Sequence, residues 1–203
     1  MKVLCIYILC FFSLLLASSS ARSQDWAFEL WHEGKLVLEA GDTLRGQIKY
    51  DLQQDLLQYK NSQSIAEAFT ARKVVFFEIF DNTVKRYRQF YSLPYAALTT
   101  YKAPVFFELL QEGKMTILCR EALEYKTVSS PYMIGSYTRL VLVNRYYILE
   151  EDGDIVELDG KKSDLLDKMG RKGEEVEKFV KKNRLRYDEK YDIARIVEYY
   201  NSL

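Results

Sequence analysis

Cysteine is almost missing from the part of this chain that folds. Of three cysteines, Cys5 and Cys10 lie in an apolar leader, and only Cys119 remains beyond it. One thiol cannot close an internal disulfide, so no covalent crosslink supports the fold. Cys119 alternates with Met115 and Ile117 in Met115-Thr116-Ile117-Leu118-Cys119, which predicts a buried small hydrophobe rather than a reactive thiol. Histidine is scarcer still, with His32 alone. That removes the usual ligand set for zinc and leaves a Ser-His-Asp relay a single candidate base. Prolines number three and glycines nine, and apolar residues are plentiful, a composition unlike that of a disordered chain. Neither sign of charge dominates, at 29 against 29. No net field draws the chain to nucleic acid or to an anionic membrane. Phosphate-binding glycine loops, nucleophile elbows and zinc-protease helices are also missing. No cofactor and no nucleic-acid partner are therefore expected.

What is present begins with an address. Lys2 supplies a basic start and Val3 to Ala17 form a nearly continuous apolar run. Small residues follow, Ser18-Ser19-Ser20-Ala21, and then the polar Arg22-Ser23-Gln24-Asp25. That order is the layout of a secretory signal peptide over 1–21. The run is shorter than the roughly 20 residues of a spanning helix, so cleavage is favoured over an anchor. Leu9 before Cys10 does not suit a lipoprotein cleavage box. The expected product is periplasmic or extracellular, with no membrane span in the mature chain.

From Phe28 to about Leu158 the pattern is that of strands. Leu44, Gly46, Ile48 and Tyr50 alternate with Arg45, Gln47 and Lys49, which predicts a strand with one wet face after a turn at Gly41-Asp42. Tyr137 to Leu149 is apolar on both faces and reads as a central strand covered on both sides. Phe28-Glu29-Leu30-Trp31-His32-Glu33-Gly34-Lys35 matches Phe107-Glu108-Leu109-Leu110-Gln111-Glu112-Gly113-Lys114 at six of eight positions. A strand, a turn on Glu-Gly and a return strand would explain each copy. Looser versions occur at Phe77 to Thr83 and at Tyr147 to Asp154. Their starts are unevenly spaced, which excludes a solenoid or propeller and leaves successive hairpins.

At Gly160 the character changes to helix. Ser163 is placed to cap a short helix carrying Leu165, Leu166 and Met169. A second runs from about Glu174 to Lys182, with Val176, Phe179 and Val180 on one stripe. Its charges suit the helix dipole, glutamates first and lysines last. Asp188 is placed to cap a third, in which Ile193, Ile196, Val197 and Tyr200 share a face. The expectation is an α+β chain: a meandering antiparallel sheet over 24–160, curved or partly closed, then a helical segment over 161–203 packed on it.

Candidate functional residues are few. His32 is matched by Gln111 in the second copy of the repeated phrase, so a surface polar position explains both. Glu150-Glu151-Asp152-Gly153-Asp154 is the densest acidic stretch, and Asp152 and Asp154 are weak candidates for calcium. Its spacing is not that of an EF-hand, and acidic hairpin tips are commonplace, so no metal is expected. Residues 161–186 are rich in Lys and Arg, interleaved with Glu in the manner of solvated helix faces. Arg86, Tyr87, Arg88, Tyr91, Tyr95 and Tyr101 form the candidate ligand- or partner-binding group, since exposed tyrosines with arginines suit protein interfaces or sugar rings. Buried, the same tyrosines are sheet filling.

Gly41-Asp42-Thr43-Leu44-Arg45-Gly46-Gln47-Ile48-Lys49-Tyr50 resembles an entry strand of exported envelope proteins of Bacteroidota-type bacteria. Ile193-Ala194-Arg195-Ile196-Val197-Glu198-Tyr199-Tyr200-Asn201 resembles the helical tail of such proteins, closed by a Tyr-Asn pair. The resemblance implies an envelope location and no catalytic motif. The leading expectation is a non-catalytic protein that binds another envelope protein. A glycan- or small-ligand-binding module is the alternative, and a hydrolase built on paired carboxylates ranks last.

Overall fold

The computed structural model describes residues 26–96, 100–129 and 136–203; the expected signal peptide lies outside the described residues. After a 3-10 turn at Ala27–Glu29, ten strands follow in order. They are β1 (His32–Leu38), β2 (Thr43–Asp51), β3 (Leu56–Lys60), β4 (Ala66–Thr70), β5 (Val74–Asp81), β6 (Arg86–Tyr95), β7 (Ala103–Gln111), β8 (Thr116–Ser129), β9 (Ser136–Leu149) and β10 (Ile155–Glu157). Three helices close the chain: α1 (Lys162–Lys168), α2 (Gly173–Asn183) and α3 (Lys190–Asn201). Among the described residues no helix is long and apolar enough to cross a membrane.

All ten strands belong to one open antiparallel sheet, ordered β10-β9-β8-β7-β6-β5-β1-β2-β3-β4. The path is a meander broken once. After β4 the chain returns to the free edge of β1, and β5 pairs there. Strands β2 to β4 thus become a wing on the far side of β1.

The wing curls over the rest. Tyr50 on β2 sits four strand positions from Phe106 on β7, a separation of about 19 Å in a flat sheet. Their ring centroids are 5.6 Å apart, and Tyr50 meets Phe77 and Phe90 at 5.7 Å as well. Two facing glycines permit this bend. Gly34 on β1 pairs with Gly46 on β2, and a Cβ on either would lie 2.2 or 2.3 Å from a carbonyl oxygen of the next strand. Leu36, Ile48, Leu57, Val74, Phe77, Phe90 and Phe106 fill the concave side.

The same face continues over β8 and β9, where Ile117, Cys119, Tyr146 and Ile148 meet the helices. Val176 and Val180 of α2 and Ile193, Ile196, Val197 and Tyr200 of α3 supply the other half of this core. The expected stripes on α2 and α3 are therefore their buried faces. Cys119 is buried here, and burial pushes its thiol pKa well up.

Several local expectations are corrected. The Glu-Gly phrase turns the chain only in its second copy: β7 ends at Gln111 and β8 starts at Thr116. In the first copy β1 runs straight through Glu33 and Gly34, because β2 and β5 pair with it on both sides. His32 is accordingly no surface residue. It is 2% exposed, and its Nε2 donates to the Ala27 carbonyl at 2.7 Å. Ser163 lies inside α1, whose N-cap is Lys161. Glu189, not Asp188, is the N-cap of α3; the Asp188 carboxylate instead accepts from Arg186 at 2.8 and 3.1 Å.

Strand β9 is not a covered central strand either. Only its end, Tyr146 to Ile148, is buried. β7 pairs with β8 no further than Cys119, and β10 reaches only Tyr147 to Leu149. Beyond these, Glu121–Ser129 and Ser136–Asn144 pair with each other alone. They form a two-stranded ribbon projecting from the sheet. Its apolar residues face across the ribbon, as in Leu123 opposite Leu142 and Ala122 opposite Val143.

Candidate interaction face

The structure divides the arginine and tyrosine group predicted on β6 between the two faces of the sheet. Side chains alternate along a strand, so Arg86 and Arg88 project to the concave side with Phe90, while Tyr87, Tyr91 and Tyr95 project to the convex side. Tyr101 lies outside β6, where its hydroxyl accepts from Arg72 at 3.2 Å. A single binding cluster is thus not formed.

Arg88 is 5% exposed and holds a charge network. Its Nε and Nη2 grip both oxygens of Glu108 at 2.9 and 2.7 Å. Nη1 reaches Asp81 at 3.1 Å, and Nη2 also reaches Glu121 at 2.8 Å. From the opposite layer Lys190, first residue of α3, donates to Glu108 at 3.0 Å and to Glu121 at 2.6 Å. Thr83 completes Asp81 with a backbone and a hydroxyl bond at 2.8 and 2.6 Å. Burial alone would raise the Glu121 pKa, yet Arg88 and Lys190 together hold it below the usual carboxylate value. For Asp81 the Thr83 bonds and Arg88 likewise overcome burial and lower it. Arg86 lies over the Tyr191 ring at 4.0 Å beside this network. Arg88 is therefore a structural anchor and not a surface contact.

Sequence reasoning did not find this network. Glu108, Glu121 and Lys190 come from distant segments, and each reads locally as an ordinary surface charge. A faint signal exists in Arg88, because its neighbour Phe90 two positions on belongs to the apolar face of the same strand.

Among the described residues no helix packs on the convex face. Glu33 and Lys35 of β1, Arg45 and Gln47 of β2, and Lys60 of β3 surround a shallow groove of about 690 Å³ over Gly34 and Gly46. Phe80 and Tyr87 form one wall, edge to face at 5.0 Å. Tyr87 is 69% exposed. Lys35 bonds Glu78 at 3.2 Å, and Gln89 donates to the same carboxylate at 2.8 Å. The Gln89 bond leads the causes that lower the Glu78 pKa, with Lys35 adding to it against burial. Lys60 rests over the Trp31 ring at 4.1 Å. The Arg45 guanidinium has no carboxylate within ion-pair distance among the described residues. The groove thus offers an exposed aromatic edge and a guanidinium that acts on Glu78 only at a distance, a pair suited to a ring or chain that also carries a carboxylate.

Further along the same face, Tyr91 meets Phe76 at 4.9 Å, and Tyr95 packs on Phe107 and Tyr147 at 5.5 Å each. Phe107, Leu118 and Tyr147 are buried in this outer cluster. Tyr91 and Tyr95 are half-buried and behave as sheet filling, whereas Tyr87 is open to solvent.

Of the acidic tip, Asp154 pairs with Lys102, and Asp152 accepts the Asp154 N–H at 3.0 Å within its own turn. Among the described residues no group of three His, Cys, Asp or Glu is placed to hold a metal ion.

Comparison with known protein families, with characterised proteins and with solved structures finds no match to this chain.

Proposed function

We propose that this chain is an exported, non-catalytic protein of the cell envelope that binds another protein through the convex face of its sheet. The observation that carries the reading is the helix-free groove beside Tyr87 and Arg45. Aromatic and arginine side chains are the residue types enriched at protein interfaces. Three cations against two carboxylates around the groove favour a partner segment bearing acidic groups. Export rests on the leader at 1–21 and on the resemblance of the entry strand and tail to envelope proteins.

The test uses the mature chain as immobilised bait against envelope extract, beside the double variant Tyr87→Ala, Arg45→Ala. A specific partner retained by the first and lost by the second, with unchanged melting temperature, supports the reading. Equal retention by both, or no partner at all, overturns it.

A saccharide or small acidic ligand in the same groove is the second reading, favoured by its size, which falls in the range of ligand clefts. Glycan-array binding that depends on Tyr87 would support it. Among the described residues, Glu121 in the buried carboxylate cluster is held low in pKa. A glycosidase acid needs the opposite shift, so this cluster lends a hydrolase no support.

A further inference from the structure

The β8–β9 ribbon leaves two long rows of backbone groups without partners. Their direction follows from a single bond. The Leu158 N–H donates to the Tyr146 carbonyl at 2.8 Å, so Tyr146 turns its backbone polar groups away from β8. Pairing of β8 with β9 is unbroken from Thr116↔Leu149 to Ser129↔Ser136, with Cys119 opposite Tyr146. Alternation along an antiparallel pair then turns the N–H and C=O of Glu121, Leu123, Tyr125, Thr127 and Ser129 outward. Among the described residues no strand pairs with them.

We propose that two copies of this chain join along the outer edge of β8, antiparallel, about a two-fold axis at Tyr125. The sequence of the edge is complementary to itself in that register. Tyr125 faces Tyr125 of the second copy and Leu123 faces Thr127. Glu124 faces Lys126 twice, once on each side of the axis. Outward-turned residues meet outward-turned residues, so each copy offers its free N–H and C=O groups in phase with the other. The Glu124–Lys126 pairs fall at the closer, non-hydrogen-bonded positions, where cross-strand side chains interact best.

Two further observations favour a second copy over other occupants. Within one chain Lys126 lies directly opposite Arg139, a like-charge pair that a sheet disfavours. Glu124 already accepts from Arg145 of its own chain at 2.8 Å, and the neighbour's Glu124 would in addition sit beside Lys126 and offset that repulsion. Tyr125 is 78% exposed, more than any other large apolar or aromatic side chain described. The β9 edge lacks such a match: about Leu140, Arg139 would face only Val141. Closure about a two-fold pairs the β8 edge in full, and the β9 edge, which lacks a matching register, becomes the outer boundary of the joined ribbons. This interface is separate from the convex groove, and the two proposals stand or fall independently.

Sedimentation velocity over a concentration series tests it on the mature chain. The wild-type chain should show a monomer–dimer equilibrium. Glu124→Lys and Lys126→Glu should each weaken dimerisation by at least about tenfold, since both symmetric pairs become repulsive. Mixed together, the two single variants should form a heterodimer, because every contact across the axis is again between opposite charges. Tyr125→Pro should abolish dimers while leaving the melting temperature near its wild-type value, because its N–H points away from β9. A wild-type chain that stays monomeric, single variants that still dimerise, or a mixture that does not associate would each overturn the proposal. Growth of filaments instead of dimers would overturn it too.

Discussion

Lys190 and Glu121 stand 69 residues apart in sequence and meet at 2.6 Å beneath the last helix. Lys190 is 7% exposed, so this contact is made out of water. With Arg88, Glu108 and Asp81 it forms a charged rivet between the first helical residue of α3 and the concave face of the sheet. Three carboxylates share two cations there, and every member has at least one charged partner.

Removal of one member should cost more than the pair contributes, because a buried charge is left short of partners. Lys190→Ala is expected to lower unfolding stability by about 3 kcal/mol. Urea denaturation followed by circular dichroism measures this. A loss below about 0.5 kcal/mol would mean that the site is wetter than its burial implies.

Acid should release the same rivet. Glu121 and Asp81 both have folded pKa values below their ordinary ones. A depressed carboxylate stabilises the fold above its unfolded pKa and loses that contribution as pH falls through the folded value. The melting temperature should therefore be flat near neutrality and fall below about pH 4.5. Glu121→Gln should start lower and fall less steeply. Parallel curves for the two proteins would refute the assignment. At the alkaline end Lys190 works the other way, since its pKa is raised. Its contribution holds below its unfolded pKa and is lost only in strong alkali.

The curl of the wing depends on Gly34 and Gly46. Alanine at either places a Cβ against a backbone carbonyl oxygen that cannot move aside without breaking the β1–β5 or β2–β3 ladder. Gly34→Ala should cost about 2–4 kcal/mol or prevent folding. Thermal melts decide it; a variant as stable as wild type would mean that the strands relax freely.

Asn201 clamps the β7–β8 turn from the end of α3. Its Oδ1 accepts the Met115 N–H at 2.8 Å and its Nδ2 donates to the Met115 carbonyl at 2.9 Å. Asn201→Ala should destabilise by about 1–3 kcal/mol. Faster amide exchange at Met115 is the specific signature, and unchanged protection there would count against the clamp.

Legibility in the sequence followed the range of the forces involved. The strand at Thr43 to Tyr50 was readable because alternation is local, and β2 keeps it. The stripes on α2 and α3 were readable for the same reason. The repeated phrase was half readable. Glu112-Gly113 turns the chain because Asn201 holds the turn, whereas Glu33-Gly34 is kept straight by strands on either side. The apolar pattern of β9 misled because a ribbon half-covers its side chains with those of its own partner strand, and sequence does not separate that from burial between layers. For the candidate group, composition found the tyrosines, but only strand phase and curvature decided that Tyr87 is open, Tyr95 packed and Arg88 enclosed.

By itself the sequence determined an antiparallel sheet followed by amphipathic helices, since periodicity and punctuation act over a few residues. Tertiary structure alone decided which charges are buried together, where the sheet bends, and which strand edge stays bare. Those outcomes depend on segments far apart in the chain arriving at the same place, and no local pattern records that meeting.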